Sequence, residues 1–405
     1  MFNHLKITRD LYQSEEHQML KEVIQQYFKQ HIEPFREAWE EQGHVDKSAW
    51  LKAGELGLLN IDLPEEYGGG GLDFSFSSLL VEEFARLGAA APGISMHSGI
   101  VAHYIAKYGS EDIKRKYLPP MAKGELIGSL GMTEPSTGSD VQAIKTNAVD
   151  QGDHWLLNGS KTFITIGYTA DFCIVACKTR PGTPQEGTSL LLVDAGTEGF
   201  TKGQPLKKIG LKESDTCELF FDNVKVPKEN LIGEEGMGFK YMMMELPRER
   251  LIVAQQSIAS VEGAIDETVE YVEQRTAFKQ PIAAFQNTQF KLAEIATQLQ
   301  AYQCFIDKCV QLQMEKKLTP ETASMAKLGA TEMEAKALDE CLQLFGGYGY
   351  MWEYPIARRY ANARVSRIYA GTNEIMKVMI SRKLLQKYYQ ELKAKLKAKK
   401  AVMAN

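Results

Sequence analysis

No apolar run in this chain approaches the ~18–20 residues of a membrane-spanning helix, so membrane insertion is not expected. The N-terminal stretch MFNHLKITRDLYQSEEHQ lacks an apolar signal core and an Arg-rich, acid-poor transit pattern, which predicts a cytoplasmic protein. Six cysteines, at 173, 177, 217, 304, 309 and 341, form no CxxC pair. Reduced structural thiols are therefore expected, with Cys173 and Cys177 sharing one face of an apolar strand. All seven histidines precede residue 155, and none forms an HExxH pattern. That argues against a metal site or a histidine-based triad. Neither sign of charge dominates: the net charge is −5, giving no global reason to expect a nucleic-acid partner.

What is present is an ordinary globular composition, 44% hydrophobic and 24% charged over 405 residues, long enough for two or three domains. Residues 1–128 carry helical periodicity. Leu20, Val23, Ile24, Tyr27, Phe28 and Ile32 fall on one face behind Ser14 as N-cap. Ser110 caps a further short helix that Pro119-Pro120 should end, and the Gly68–Gly71 run reads as a loop, since no strand precedes it and no helix follows. From 129 to 235 short β-branched or aromatic runs (TFITI, DFCIVACK, TSLLLVD, TCELFFDNVKV) alternate with turn residues, predicting an antiparallel β-barrel or sandwich. From 236 to 405 the helical period returns in four amphipathic segments: 248–275, 287–316, a third from Thr319-Pro320 to Gly346-Gly347, and a fourth from Thr372 toward Lys387. The expectation is an α+β chain, with an N-terminal helical domain, a middle β domain and a C-terminal four-helix bundle. Residues 382–400 hold eight basic side chains against Glu391 alone. The lysines circle the helix and form no stripe, as a solvated end would.

The chemistry concentrates in four places. GMTEPSTGSD (131–140) packs hydroxyls and glycines where helix gives way to sheet, and Phe163-Ile164-Thr165 follows on a strand. FGGYGYMWEYPIARRY (345–360) and IYAGTNEI (368–375) close the set. In this order and spacing, the chain resembles the acyl-CoA dehydrogenase family from about Ser14 to Leu385. SMHSGIV, NGSK, ELPRERL, GYMWEYPIA and GTNEIM are most similar to its long-chain branch.

The resemblance implies a non-covalent FAD, an acyl-CoA substrate, an electron-transfer flavoprotein as acceptor and a homotetramer. Leu130, Met132, Thr133, Gly138 and Ser139 would line the flavin, with Phe163 and Thr165 from the neighbouring strand. Many relatives carry Trp at the Phe163 position; Phe keeps the stacking face and loses the indole N–H. Arg275, Phe278 and Gln286 match residues that reach a neighbouring subunit's FAD, as do Gln343, Leu344, Phe345, Gly346 and Gly347. Lys279 stands where the family usually has glycine. Thr372, Asn373 and Glu374 open a helix whose N–H groups suit a phosphate or carbonyl oxygen. Ser139, Pro247, Arg248, Arg250, Ala370 and Gly371 would meet the substrate, and Ser95, Ser98 and Gly99 would lie near the pocket floor.

Dehydrogenation across Cα–Cβ of a thioester needs a base at Cα. Many family members place a Glu immediately before the Gly-Thr of the last motif, where this chain has Ala370. In the long-chain and isovaleryl branches the base sits on the first helix of the bundle, at the position of Glu249. Pro247 leaves the carbonyl of residue 243 without its partner and predicts a kink that turns Glu249 into a cavity. Glu245, one turn earlier, is the competing carboxylate. Two alternatives stay open: a branched-chain acyl-CoA dehydrogenase, and a DNA-binding flavoprotein relative.

Overall fold

The computed structural model describes residues 5–89, 93–180 and 187–392. Its N-terminal part is helical: α1 (Glu15–His31), α2 (Arg36–Gln42), α3 (Lys47–Glu55), α4 (Phe74–Arg86), the single turn α5 (Ile94–Met96), α6 (Ala102–Tyr108) and α7 (Glu111–Ala122). Ser14 caps α1 by accepting from the His17 N–H, and Ser110 caps α7 from Ile113. Pro119 and Pro120 do not end α7, which runs on to Ala122. A proline forfeits only its own donor, and the residues after it can still bond back along the helix. Between α5 and α6 the chain makes a π turn, His97–Val101, which bulges this wall.

The middle part is one seven-stranded sheet: β1 (Gly128–Gly131), β2 (Asn147–Asp150), β3 (His154–Thr165), β4 (Phe172–Lys178), β5 (Thr188–Asp194), β6 (Phe200–Lys202) and β7 (Thr216–Pro227). The order is β1-β4-β2-β3-β7-β6, with β5 also on β4. Most pairings are antiparallel, but β4 runs parallel to both β1 and β2, which departs from the all-antiparallel expectation. A parallel pair needs a long crossover. Here strands β2 and β3 supply it in place of a helix. Strand β4 is buried on both faces: Phe172, Ile174 and Ala176 join the helical core, while Cys173, Val175 and Cys177 face the core inside the sheet domain. The two cysteines do share a face, and burial raises both thiols, to about 11 and about 12.

The C-terminal part holds α8 (Gly238–Gln274), a small hairpin of β8 (Thr276–Ala277) and β9 (Gln280–Pro281), α9 (Gln286–Met314), α10 (Pro320–Phe345), α11 (Pro355–Ala363) and α12 (Asn373–Leu384). Three long helices share one core through Leu251, Ile258, Ile265, Leu299, Ile306, Ala330 and Leu338. The fourth, α12, is only 12 residues long, and α11 was not anticipated. Helix α8 begins at Gly238, ten residues before the expected start, and stays helical through Pro247. It is this 37-residue helix, packed on α4 on one side and α10 on the other, that carries the site. The basic tail lies outside the described residues from 393 onward, and its described part is solvent-exposed.

Candidate active site

A cavity of about 890 Å³ opens where the three parts meet. Along α8, Glu249, Ile252, Val253, Gln256 and Ser260 recur at the three- and four-residue spacing of one helix face, and all line it. Glu249 is buried and accepts from the Tyr104 hydroxyl at 3.3 Å. Burial raises its pKa to about 7, with Glu245 adding to the rise, while the Tyr104 hydrogen bond and Arg250 oppose it. Glu245 faces elsewhere, bonded to Lys107 and to the Tyr108 hydroxyl, each at 2.6 Å. Of the two carboxylates one turn apart, only Glu249 borders the cavity.

Across from Glu249 lie Ala370 and Gly371, both with left-handed backbones (φ 52° and 87°). Two cations hold this turn. Arg250 Nε reaches the Ala370 carbonyl at 3.4 Å, and Lys327 Nζ the Gly371 carbonyl at 2.9 Å and Asn373 Oδ1 at 2.8 Å. The Asn373 amide in turn donates to Glu332 and Thr331, so its side chain is fully engaged in the protein. Thr372 caps α12, and none of Thr372, Asn373 and Glu374 lines the cavity.

A third wall comes from the sheet. Leu130, Met132, Thr133, Gly138, Ser139, Phe163 and Thr165 all border the cavity. A register shift between Lys161 and Ile164 bulges β3, and Phe163 takes φ 59° and is 67% exposed. A bulge re-aims a side chain in this way. Under this wall Lys161 is fully buried and bonds Glu134 at 2.8 Å and the Met132 carbonyl at 3.1 Å. The open aromatic face of Phe163, the hydroxyls of Thr133 and Thr165, and free space around Gly138 fit a flat ring system with polar edges such as a flavin.

Several expected residues lie elsewhere. Arg248 points away from the cavity: it bonds Asp62 at 2.7 Å and the Gly99 carbonyl at 3.0 Å, over the Phe74 ring. Pro247 does not border the cavity either. Ser95 does, but Ser98 and Gly99 sit behind Ile252, beside a separate small void. None of Arg275, Phe278, Gln286 and Gln343 to Gly347 borders the cavity, and Phe345 is buried in the helical core. Arg275 lies over the Tyr348 ring at 5.4 Å, Phe345 stacks on Tyr271 at 4.1 Å, and Phe278 is 90% exposed. Phe278 and Lys279 both take positive φ, the two central residues of a tight hairpin turn without glycine.

Sequence reasoning missed Tyr104, Lys161, Lys327 and Glu334. Lys327, Thr331 and Glu334 recur at i, i+4 and i+7 on α10 among apolar residues; polar groups on a core face were the available signal. Glu334 borders the cavity, is buried, and accepts from Ser257 at 2.8 Å and Ser366 at 2.9 Å. Burial raises its pKa to about 7 as well.

A helical, a β and a second helical part, meeting at a cavity with a flat aromatic wall and a buried carboxylate, define a flavin-type dehydrogenase architecture. Family models for acyl-CoA dehydrogenase match the N-terminal domain over residues 14–125, the middle domain over 129–224 and the C-terminal domain over 236–385. The chain is 46% identical over 374 residues to the long-chain specific acyl-CoA dehydrogenase, mitochondrial, of Sus scrofa, covering 92% of this chain and 87% of that protein. It is 36% identical to the short-chain specific enzyme of Rattus norvegicus, covering 92% and 91%. The crystal structure of an acyl-CoA dehydrogenase from Geobacillus kaustophilus superposes with a TM-score of 0.91 at 46% identity, over 93% of this chain and all of that one. The chain belongs to the acyl-CoA dehydrogenase family, a family of FAD-dependent oxidoreductases of fatty-acid metabolism. Among the described residues no helix is long and apolar enough to cross a membrane, and no group of three or more His, Cys, Asp or Glu could hold a metal ion.

Proposed function

We propose that the protein oxidises long-chain acyl-CoA thioesters to trans-2-enoyl-CoA, with Glu249 as the base. The observation that carries this is the pairing of environments on α8: Glu249 borders the cavity, whereas Glu245 is neutralised by Lys107. A thioester between the Phe163–Thr165 wall and Glu249 would present its Cα to the carboxylate. Glu249 removes the Cα proton, a hydride leaves Cβ with both electrons of its bond, and the Cα=Cβ double bond forms. FAD, held by Leu130, Met132, Thr133, Gly138, Ser139, Phe163 and Thr165, would supply the acceptor for that hydride. The Ala370 backbone N–H, in the turn held by Arg250 and Lys327, would polarise the thioester oxygen and so acidify Cα. A base with a pKa near neutrality suits this step, because about half of it is ionised at neutral pH and it is strong enough to take the proton.

The length of the cavity supports a long acyl chain. From Glu249 to Ser260 it follows α8 for roughly 16 Å, at 1.5 Å per residue, and a short branched acyl group would leave most of that space unfilled. Arg275, Phe278, Gln286 and Gln343 to Gly347, all outside the cavity, would serve the FAD of a neighbouring subunit in a homotetramer, and an electron-transfer flavoprotein would reoxidise the cofactor. The test is a panel of straight-chain acyl-CoAs, from four to eighteen carbons, with branched five-carbon acyl-CoAs beside them, added anaerobically to the yellow holoprotein. Bleaching strongest with the long chains is expected; bleaching by branched five-carbon substrates alone would favour the branched-chain reading. Salt-independent failure to bind DNA is expected in the same preparation.

A further inference from the structure

The far end of the cavity is polar, which a plain alkyl chain does not call for. Beyond Ile252 and Val253, the α8 face turns to Gln256, Ser257 and Ser260, and α10 adds Glu334 with Ser366 beside it. Glu334 is 4% exposed and its carboxyl is held by serine hydroxyls, with no cation bonded to it among the described residues. The nearby cation, Arg359, is engaged by Glu267 and by the carbonyls of Ala85, Arg86 and Ser260. One turn further on, Gly263 packs against the Arg86 carbonyl and Arg359, and the cavity stops. A methyl terminus arriving here would cover polar groups without replacing their hydrogen bonds, which is unfavourable.

We propose that this end is a recognition site for a hydroxyl at or near the far end of the acyl chain, and that Glu334 is its specificity-determining residue. Ser257 lies eight residues past Glu249, roughly 12 Å along the helix, a distance spanned by about ten extended methylenes. With Cα held at Glu249, the terminal carbon of a twelve-carbon acyl group therefore reaches Glu334. A hydroxyl there can donate to the carboxyl of Glu334 at Oε1, since Ser257 and Ser366 both donate to Oε2. A terminal carboxylate is disfavoured, because it meets Glu334 with Arg359 already paired. The inference rests on the dehydrogenase reading of Glu249 and adds the substrate class.

The experiment compares ω-hydroxydodecanoyl-CoA, dodecanoyl-CoA and dodecanedioyl-CoA on the FAD-loaded protein, by rates of flavin bleaching. Dissociation constants are measured in Glu249→Gln, where turnover is blocked. The hydroxy chain is expected to bind about tenfold more tightly than the plain chain, the worth of one buried hydrogen bond, and the diacid more weakly than either. In Glu334→Leu the order of the first two should reverse. Equal binding of hydroxy and plain chains by the protein with Glu334 intact overturns the proposal whether or not the variant folds. An advantage that survives in Glu334→Leu overturns it too. If none of the three chains bleaches the flavin, the dehydrogenase reading itself fails; bleaching by dodecanoyl-CoA without a hydroxyl preference sinks only the recognition site.

Discussion

The Tyr104 hydroxyl lies 3.3 Å from Glu249 Oε1 and is the hydrogen bond that stabilises the ionised form of this carboxyl against its burial. Burial raises Glu249 toward 7, and Tyr104 with Arg250 holds it from going higher. Tyr104→Phe removes the donor and keeps the ring. The acid limb of the pH profile for kcat/KM should move up by about half to one unit, since a hydrogen bond of this length contributes about 1 kcal/mol. An unmoved limb would show that Tyr104 does not tune the base.

Glu249→Gln should keep the fold and FAD and lower the rate of flavin bleaching by at least about 10²–10⁴-fold. It also has a signature in stability. A carboxyl whose folded pKa lies above its unfolded value binds more protons when folded, so stability falls as pH rises from about 4.5 through about 7. Gln escapes that penalty. The variant should match the wild type below pH 4.5 and exceed it by up to about 3 kcal/mol at pH 8, read by denaturant unfolding at both values. A difference of the same size at both pH values would contradict the raised pKa.

How far these features were legible in the sequence depended on whether they were local. Ser14, Ser110 and Thr319 are N-caps in the sequence and in the structure, because capping involves residues three apart, and Thr372, expected to open the last helix, caps it. The parallel β1–β4 pairing was not legible, since residues some forty positions apart set it. Glu249 and Arg248 looked alike as neighbours in ELPRERL. Their opposite directions follow from Asp62 and Gly99, which reach Arg248 from another part of the chain. Glu334 shows the same limit, since its serine partners come from α8 and from the segment after α11.

Lys161 offers a test, from beneath, of the sheet wall proposed to hold the flavin. It is fully buried against Glu134, which also accepts from the Lys145 and Thr146 N–H groups, and it braces the Met132 carbonyl. Burial pushes the Glu134 carboxyl up, but Lys161 and these donors bring it below the usual range. Lys161→Met should destabilise the protein by about 3–5 kcal/mol, by leaving a buried charge without its partner. Lys161→Met with Glu134→Gln should recover part of that loss. A single variant as stable as the wild type, by calorimetry, would rule out the pairing as a structural brace.

Arg275→Ala tests whether this exposed side chain serves another subunit. Arg275 does not border the cavity, so within one chain its loss should leave FAD affinity unchanged. If a neighbouring subunit's FAD meets it, the variant loses a charge-assisted contact of roughly 1.5–3 kcal/mol, about a ten- to hundredfold weaker FAD affinity. The measurement is FAD retention by fluorescence, with the oligomer checked by light scattering. Unchanged affinity in an intact tetramer would remove Arg275 from the cofactor site.

The final prediction concerns where the base can stand. Glu249 and Ala370 border the same cavity from α8 and from the turn before α12. Ala370 has φ 52°, a conformation that Glu enters at about the same backbone cost as Ala, so the exchange adds little strain. Glu249→Gly alone should be inactive in flavin bleaching. Combined with Ala370→Glu it should regain part of the activity, because a carboxylate from the opposite wall can reach the same Cα. The regained activity should favour shorter acyl chains, since the new side chain occupies space near the thioester that Glu249 left open. Its pH profile should also shift, because the relocated carboxylate would stand beside Arg250 and Lys327, and two cations favour the ionised form. An inactive single variant with no recovery in the double would leave Glu249 as the base and reject the facing geometry. Full activity in Glu249→Gly would reject Glu249 itself and turn attention to Glu245.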